Sequence, residues 1–172
     1  MSKQRFKVLP SQMDRRRFVE IFGRIYEHSP WIAEAVFDAG LQSAHDTVEG
    51  LHRAMASVVE RAPEARHLAL LCAHPDLAGK LAMRGEITAE STGEQASAHL
   101  DKCSPAEFQR FSQLNEAYKL KFGFPFIMAV KGRSRGEILA AFAARSGNNR
   151  EQELRTAIAQ VNEIARLRLL DL

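Results

Sequence analysis

The sequence predicts an all-α fold: a single compact multi-helix domain of about seven or eight helices over residues 1–172. Three observations carry that expectation. Apolar residues recur at spacings of three and four, which places them on one helix face. Helix start and stop signals separate these stretches. No stretch sustains the polar–apolar alternation of a half-buried strand.

From the N-terminus, Phe18, Ile21, Phe22, Ile25 and Tyr26 make the first apolar face, with Ser11 and Asp14 ahead of it at near-capping-box spacing. Ser29-Pro30 has the form of an N-cap followed by proline at the first helical position, where the missing N–H has no helical partner to lose. Val48, Leu51, Met55, Val58 and Val59 form the next face, and Pro63 opens a helix running toward Cys72. Ser104-Pro105, with Glu107 at capping-box spacing, starts a helix bearing Phe108, Phe111, Asn115, Tyr118 and Phe122. Asn115 is a polar interruption in that aromatic row. Gly147-Asn148-Asn149 ends one helix and caps another, whose face carries Leu154, Ile158, Val161 and Ala165.

Two places break the helical pattern. His74 follows a helix and precedes Pro75, which biases its backbone away from helical dihedrals. The run from Phe122 to Val130 is nearly all apolar, but Gly123 and Pro125 break it. It reads as a short buried strand or an extended segment, with a turn at Gly132.

Composition narrows the function. The 24 basic residues face 21 acidic ones, leaving a formal charge of +3. Arg15-Arg16-Arg17 is a short run behind Asp14 and fits a solvated helix face, so nucleic acid is not expected as a partner. Cys72 and Cys103 lie far apart without a Cys-x-x-Cys spacing, which fits a reducing compartment. No long apolar stretch opens the chain, and it closes on Leu170-Asp171-Leu172 rather than a Ser-Lys-Leu address. A cytoplasmic protein without membrane contact is the expectation. Gly132-Arg133-Ser134-Arg135-Gly136 matches neither a phosphate loop nor a dinucleotide fingerprint. His67, Cys72, His74, His99 and Cys103 supply zinc-type donors, but in no recognised paired spacing, so no metal is expected.

Among residues able to do chemistry, His74 is the foremost acid/base candidate. An extended His-Pro step at a helix end can aim the imidazole into a cavity, and its ordinary pKa of about 6.5 suits proton transfer near neutrality. The alternative is a histidine that merely caps the preceding helix. Ser91-Thr92-Gly93-Glu94-Gln95 has capping-box spacing, and a helix N-terminus there also presents amide donors to an anion or polar ring. The Phe126–Val130 stretch is either core or an irregular segment whose backbone pairs with a planar heterocycle. Arg166 can grip a carboxylate through two parallel hydrogen bonds, or simply complement a helix C-terminus.

Taken in order, these fragments resemble the ureidoimidazoline decarboxylase family of urate breakdown. Glu27-His28-Ser29-Pro30-Trp31-Ile32-Ala33 is similar to that family's opening signature, and His74-Pro75-Asp76-Leu77-Ala78-Gly79-Lys80 to its catalytic-histidine motif. Ser91-x-x-Glu94-Gln95, Leu114-Asn115-x-x-Tyr118, Phe122-Gly123-Phe124-Pro125-Phe126-Ile127 and Ile164-Ala165-Arg166-Leu167-Arg168-Leu169 follow in the family's order. The resemblance implies an all-α homodimer that works without metal or organic cofactor. Its expected reaction converts 2-oxo-4-hydroxy-4-carboxy-5-ureidoimidazoline (OHCU) to (S)-allantoin, after urate oxidation and hydrolysis of 5-hydroxyisourate. By the same resemblance His74 is the proton donor and Glu94 its acid/base or polarising partner. Pro75, Ser91, Gln95, the backbone of Phe126, Ile127, Met128, Ala129 and Val130, and Arg166 become substrate contacts. His99 and the Gly147-Asn148-Asn149 loop depart from the family's usual pattern. Two other readings compete: a helical ligand-binding domain without turnover, against which the presence of both His74 and Glu94 argues, and a zinc-dependent hydrolase.

Overall fold

A computed structural model describes residues 4–75 and 105–172. Seven α-helices lie among the described residues: α1 (Arg15–Phe22), α2 (Trp31–Asp38), α3 (Val48–Glu60), α4 (Glu64–Ala73), α5 (Pro105–Phe122), α6 (Arg135–Ser146) and α7 (Arg150–Leu170). Short 3-10 turns occupy Pro10–Gln12 and Ser43–Asp46, and the single β-bridge among the described residues joins Arg5 to Thr47. The all-α expectation holds. None of these helices is long and apolar enough to cross a membrane. The chain divides into two compact units, Met1–Ala73 with Asn162–Leu172, and His74–Val161.

In the first unit, Asp14 caps α1 by accepting the Arg17 N–H at 2.8 Å, and Thr47 caps α3 through the Gly50 N–H at 3.1 Å. Phe18 and Phe22 face inward from α1, with Val48, Leu51, Met55 and Val59 inward from α3. Phe22 meets Phe6 edge-on at 5.3 Å and Phe18 at 4.8 Å. The apolar face expected to continue to Tyr26 leaves the helix at Phe22: Ile25 and Tyr26 are buried from the turn that follows. That turn includes His28 at a φ of +45°, a left-handed conformation no α-helix contains. Helix α2 begins one residue later than Ser29-Pro30 suggests. Pro30 itself stands at the N-cap, with no side chain capping the end. Ser11 is drawn away from Asp14, giving its N–H and hydroxyl to the Asp46 carboxylate at 2.9 Å each.

The first unit also holds a buried ion pair. Arg168 reaches Glu27 at 3.0 Å, with only 3% and 0% of the two side chains exposed, and donates a second hydrogen bond to the Ile25 carbonyl at 3.2 Å. Tyr26 donates to Asn162 Oδ1 at 2.8 Å, while His52 Nε2 meets the Asn162 carbonyl at 2.8 Å.

In the second unit, α5 packs on α6 through an aromatic layer. Phe126 stacks on Phe142 with centroids 3.7 Å apart, and Tyr118 sets its edge against both, at 5.3 and 5.9 Å. Gly123, at a φ of +83°, turns the chain out of α5 in a conformation that costs a side-chain-bearing residue strain. Residues 125–130 then run without helix or strand, which settles the choice left by the sequence in favour of an irregular segment. Ser134 and Glu137 form a full capping box at the start of α6, and Asn149 caps α7 by accepting the Gln152 N–H at 2.8 Å.

Candidate active site

His74 stands immediately after α4, where the helix gives way before Pro75, and it is 7% exposed. Pro75 is half-buried beside it. The burial of His74 keeps its imidazole largely out of bulk water at the point where the helix ends. Ser91, Glu94 and Gln95 lie outside the described residues, as do His99, Cys103 and the Ser104 cap.

The irregular segment is braced from below. Phe126, Ile127 and Val130 are buried, while Met128 and Ala129 are half-buried. Arg145 Nη1 donates to the Ile127 carbonyl at 2.7 Å, and its guanidinium lies 4.3 Å above the Phe126 ring centroid. The Ala129 N–H donates to Gln160 Oε1 at 2.9 Å, and the Val130 carbonyl accepts from Arg133 at 2.9 Å. These bonds tie three points of the segment. Among the described residues, the N–H groups of Ile127, Met128 and Val130 and the carbonyls of Met128 and Ala129 take no hydrogen bond. Backbone groups inside a protein are ordinarily paired, so a row of such donors and acceptors is chemically equipped to meet the edge of a flat, amide-rich ring.

The brace has a hub that the sequence did not announce. Glu153 is fully buried and accepts from Arg145 Nε at 2.8 Å, Arg145 Nη2 at 2.6 Å, Asn148 Nδ2 at 2.7 Å and the Tyr118 hydroxyl. Burial pushes the Tyr118 phenol well above its usual range, with the hydrogen bond to Glu153 adding to the shift, so it stays a neutral donor. Arg145 and Glu153 each look like ordinary helix-end charges in sequence. The available signal was their position either side of the Gly147-Asn148-Asn149 turn between α6 and α7.

Arg166 belongs to the first unit, whereas His74, Pro75 and the Phe126–Val130 segment belong to the second. It is 41% exposed and pairs in fork geometry with Glu163, at 2.8 and 2.7 Å. That pairing raises the guanidinium's pKa and lowers the Glu163 carboxyl's. Of the donors considered for zinc, His67 is engaged with the Val59 carbonyl at 2.7 Å and Cys72 is exposed. No cluster of three potential metal ligands occurs among the described residues.

Comparison with known proteins bears out the family resemblance. The family model described as OHCU decarboxylase matches residues 11–170. A 2-oxo-4-hydroxy-4-carboxy-5-ureidoimidazoline decarboxylase of Halalkalicoccus jeotgali is 45% identical over 162 residues, covering 94% of this chain and 88% of that protein. Among solved structures, the crystal structure of (S)-allantoin synthase superposes with a TM-score of 0.75 at 34% identity, over 94% of this chain and 51% of that one. The crystal structure of OHCU decarboxylase in the presence of (S)-allantoin gives a TM-score of 0.65 at 25% identity, over 82% of this chain and 89% of that one.

Proposed function

Since the chain belongs to the OHCU decarboxylase family, we propose that it decarboxylates 2-oxo-4-hydroxy-4-carboxy-5-ureidoimidazoline to (S)-allantoin and carbon dioxide, with residues 1–172 acting as one catalytic domain. The observation that carries this reading is the family match over nearly the whole chain, in which His74 and the Phe126–Val130 segment fall within the matched residues.

The chemistry asks little of the protein beyond placement. Breaking the bond to the carboxylate releases carbon dioxide and leaves an electron pair on the ring. The neighbouring carbon–nitrogen double bond accepts that pair, so the substrate is its own electron sink. A proton then arrives at the ureido-bearing carbon from one face, which sets the S configuration. His74 delivers it, and Glu94 acts as acid/base or polarising partner. The unpaired backbone groups of Phe126–Val130 hold the planar ring, with Pro75, Ser91, Gln95 and Arg166 as further contacts. On this reading no metal or organic cofactor takes part. The active form is a homodimer in the cytoplasm.

The test is direct. Substrate is generated in situ with urate oxidase and 5-hydroxyisourate hydrolase, and allantoin is followed by circular dichroism. Catalytic appearance of one enantiomer upholds the reading. Accumulation no faster than spontaneous decay, with racemic product, refutes it.

A further inference from the structure

The aromatic row on α5 is broken once. Asn115 shares a helix face with Phe111 one turn before it and Tyr118 one turn after it. Phe111 meets Phe142 at 6.4 Å, and Tyr118 meets Phe126 at 5.3 Å. Asn115 therefore stands between two side chains that border the stacked Phe126–Phe142 pair, at the foot of the irregular segment. It is 1% exposed, yet among the described residues neither its Nδ2 nor its Oδ1 has a hydrogen-bond partner.

That is a costly arrangement. A buried carboxamide that leaves its hydrogen-bonding groups empty forfeits hydration with nothing in return, and a leucine would fill the same space without that loss. Nearby polar groups show the contrast: the Tyr118 hydroxyl is used, and Glu153 accepts from four donors. An amide kept empty inside an otherwise satisfied aromatic layer is suited to a partner that arrives from outside. It offers one donor side and one acceptor side, the complement of an N–H beside a carbonyl. The ureidoimidazoline substrate carries such edges both on its ring and on its ureido arm.

We infer that the side-chain amide of Asn115 binds the substrate, donating from Nδ2 to a carbonyl and accepting at Oδ1 from the adjacent N–H. This rests on the decarboxylase reading above for the identity of the substrate, while the empty amide is a property of the chain alone.

Two variants test it, Asn115→Leu and Asn115→Ala, each measured by thermal melting and by steady-state kinetics on substrate generated in situ. Leucine should raise the melting temperature by about 2 °C or more, because it removes an unsatisfied buried group. Both variants should lose at least about tenfold in kcat/KM, chiefly through a higher KM, as expected when a substrate hydrogen bond made before the chemical step is removed. Unchanged kinetics in the two variants would overturn the proposal. So would failure of both to fold, or a lower melting temperature for leucine, since either assigns the amide a structural role. A wild-type enzyme inert toward this substrate would refute the decarboxylase reading instead. The melting comparison would still decide whether the amide is held empty at a cost to stability.

Discussion

Removing the charge from Glu153 should unseat the Phe126–Val130 segment. In Glu153→Gln the replacement amide keeps an acceptor for Tyr118. Its NH2 then faces the Asn148 Nδ2 donor, and the Arg145 guanidinium is left without its carboxylate. Arg145 is only 12% exposed, so water compensates poorly for the lost partner. Breaking one side of a buried pair costs about 3–5 kcal/mol. For a chain of this size that is a fall of about 6–20 °C in Tm. Arg145→Met strips the same pair from the other side, along with the bond to the Ile127 carbonyl and the stacking over Phe126. The double variant should cost clearly less than the sum, with a coupling of about 2 kcal/mol, because each single change already empties the pair. Melts followed at 222 nm give all three numbers, and KM measured on the same samples reports the segment. Single losses below about 1 kcal/mol, or additivity within about 0.5 kcal/mol, would refute the claim that this pair braces the segment.

Three further outcomes are expected. The sequence contains 2 tyrosines, and burial raises the pKa of both Tyr26 and Tyr118. A raised folded-state pKa stabilises the protein below the unfolded value of about 10 and loses that contribution as pH climbs toward the folded value. Absorbance at 295 nm should therefore show no tyrosinate step near pH 10 (the ordinary value) while the helical signal persists; a step with native circular dichroism would contradict the burial. His74→Ala should fold and lose about a hundred- to ten-thousand-fold in turnover. Near wild-type rate and enantiomeric purity there would remove His74 as proton donor. Arg166→Lys keeps the charge but not the fork, so substrate contact predicts a raised KM at nearly unchanged Tm, whereas a purely local pair with Glu163 predicts no kinetic change. At the neighbouring Arg168, buried against Glu27, replacement should cost stability first.

The fold class was legible because helix periodicity is local. Val48 to Val59 and Leu154 to Ala165 mark their helices at the spacing a helix imposes, and Asn149 announces its cap in the chemistry of its own side chain. Boundaries failed where distant parts of the chain intervene. Ser11 has the right spacing to serve Asp14, but Asp46 offers it a carboxylate from 35 residues away. Phe18 to Tyr26 keeps a helical spacing past the point where the helix stops, because burial continues through the turn at His28. The same limit applies to the candidate site. His74 and the broken apolar run were visible as departures from helical grammar. The bracing of that run by Arg145, Glu153 and Gln160 was not, because those residues meet only once α6 and α7 fold together. Asn115 was visible as an interruption, but that its amide finds no partner among the described residues is a fact of packing alone.

The first unit draws its residues from both ends of the chain, and this bears on the order of events during synthesis. The Gln4 side chain bonds to the Leu170 carbonyl across 166 positions, Arg168 finds Glu27 across 141, and Tyr26 finds Asn162 across 136. A ribosome adding about 5–20 residues per second will have displayed Phe18, Phe22 and Tyr26 for several seconds before the first of those partners emerges. Throughout that interval Glu27 lacks the Arg168 guanidinium that pairs with it in the folded protein, so the interior around it has reason to stay open and hydrated. Chaperone engagement should therefore concentrate on nascent chains that end before Asn162, and release should coincide with synthesis of the final helix rather than with completion of helices α1 to α4.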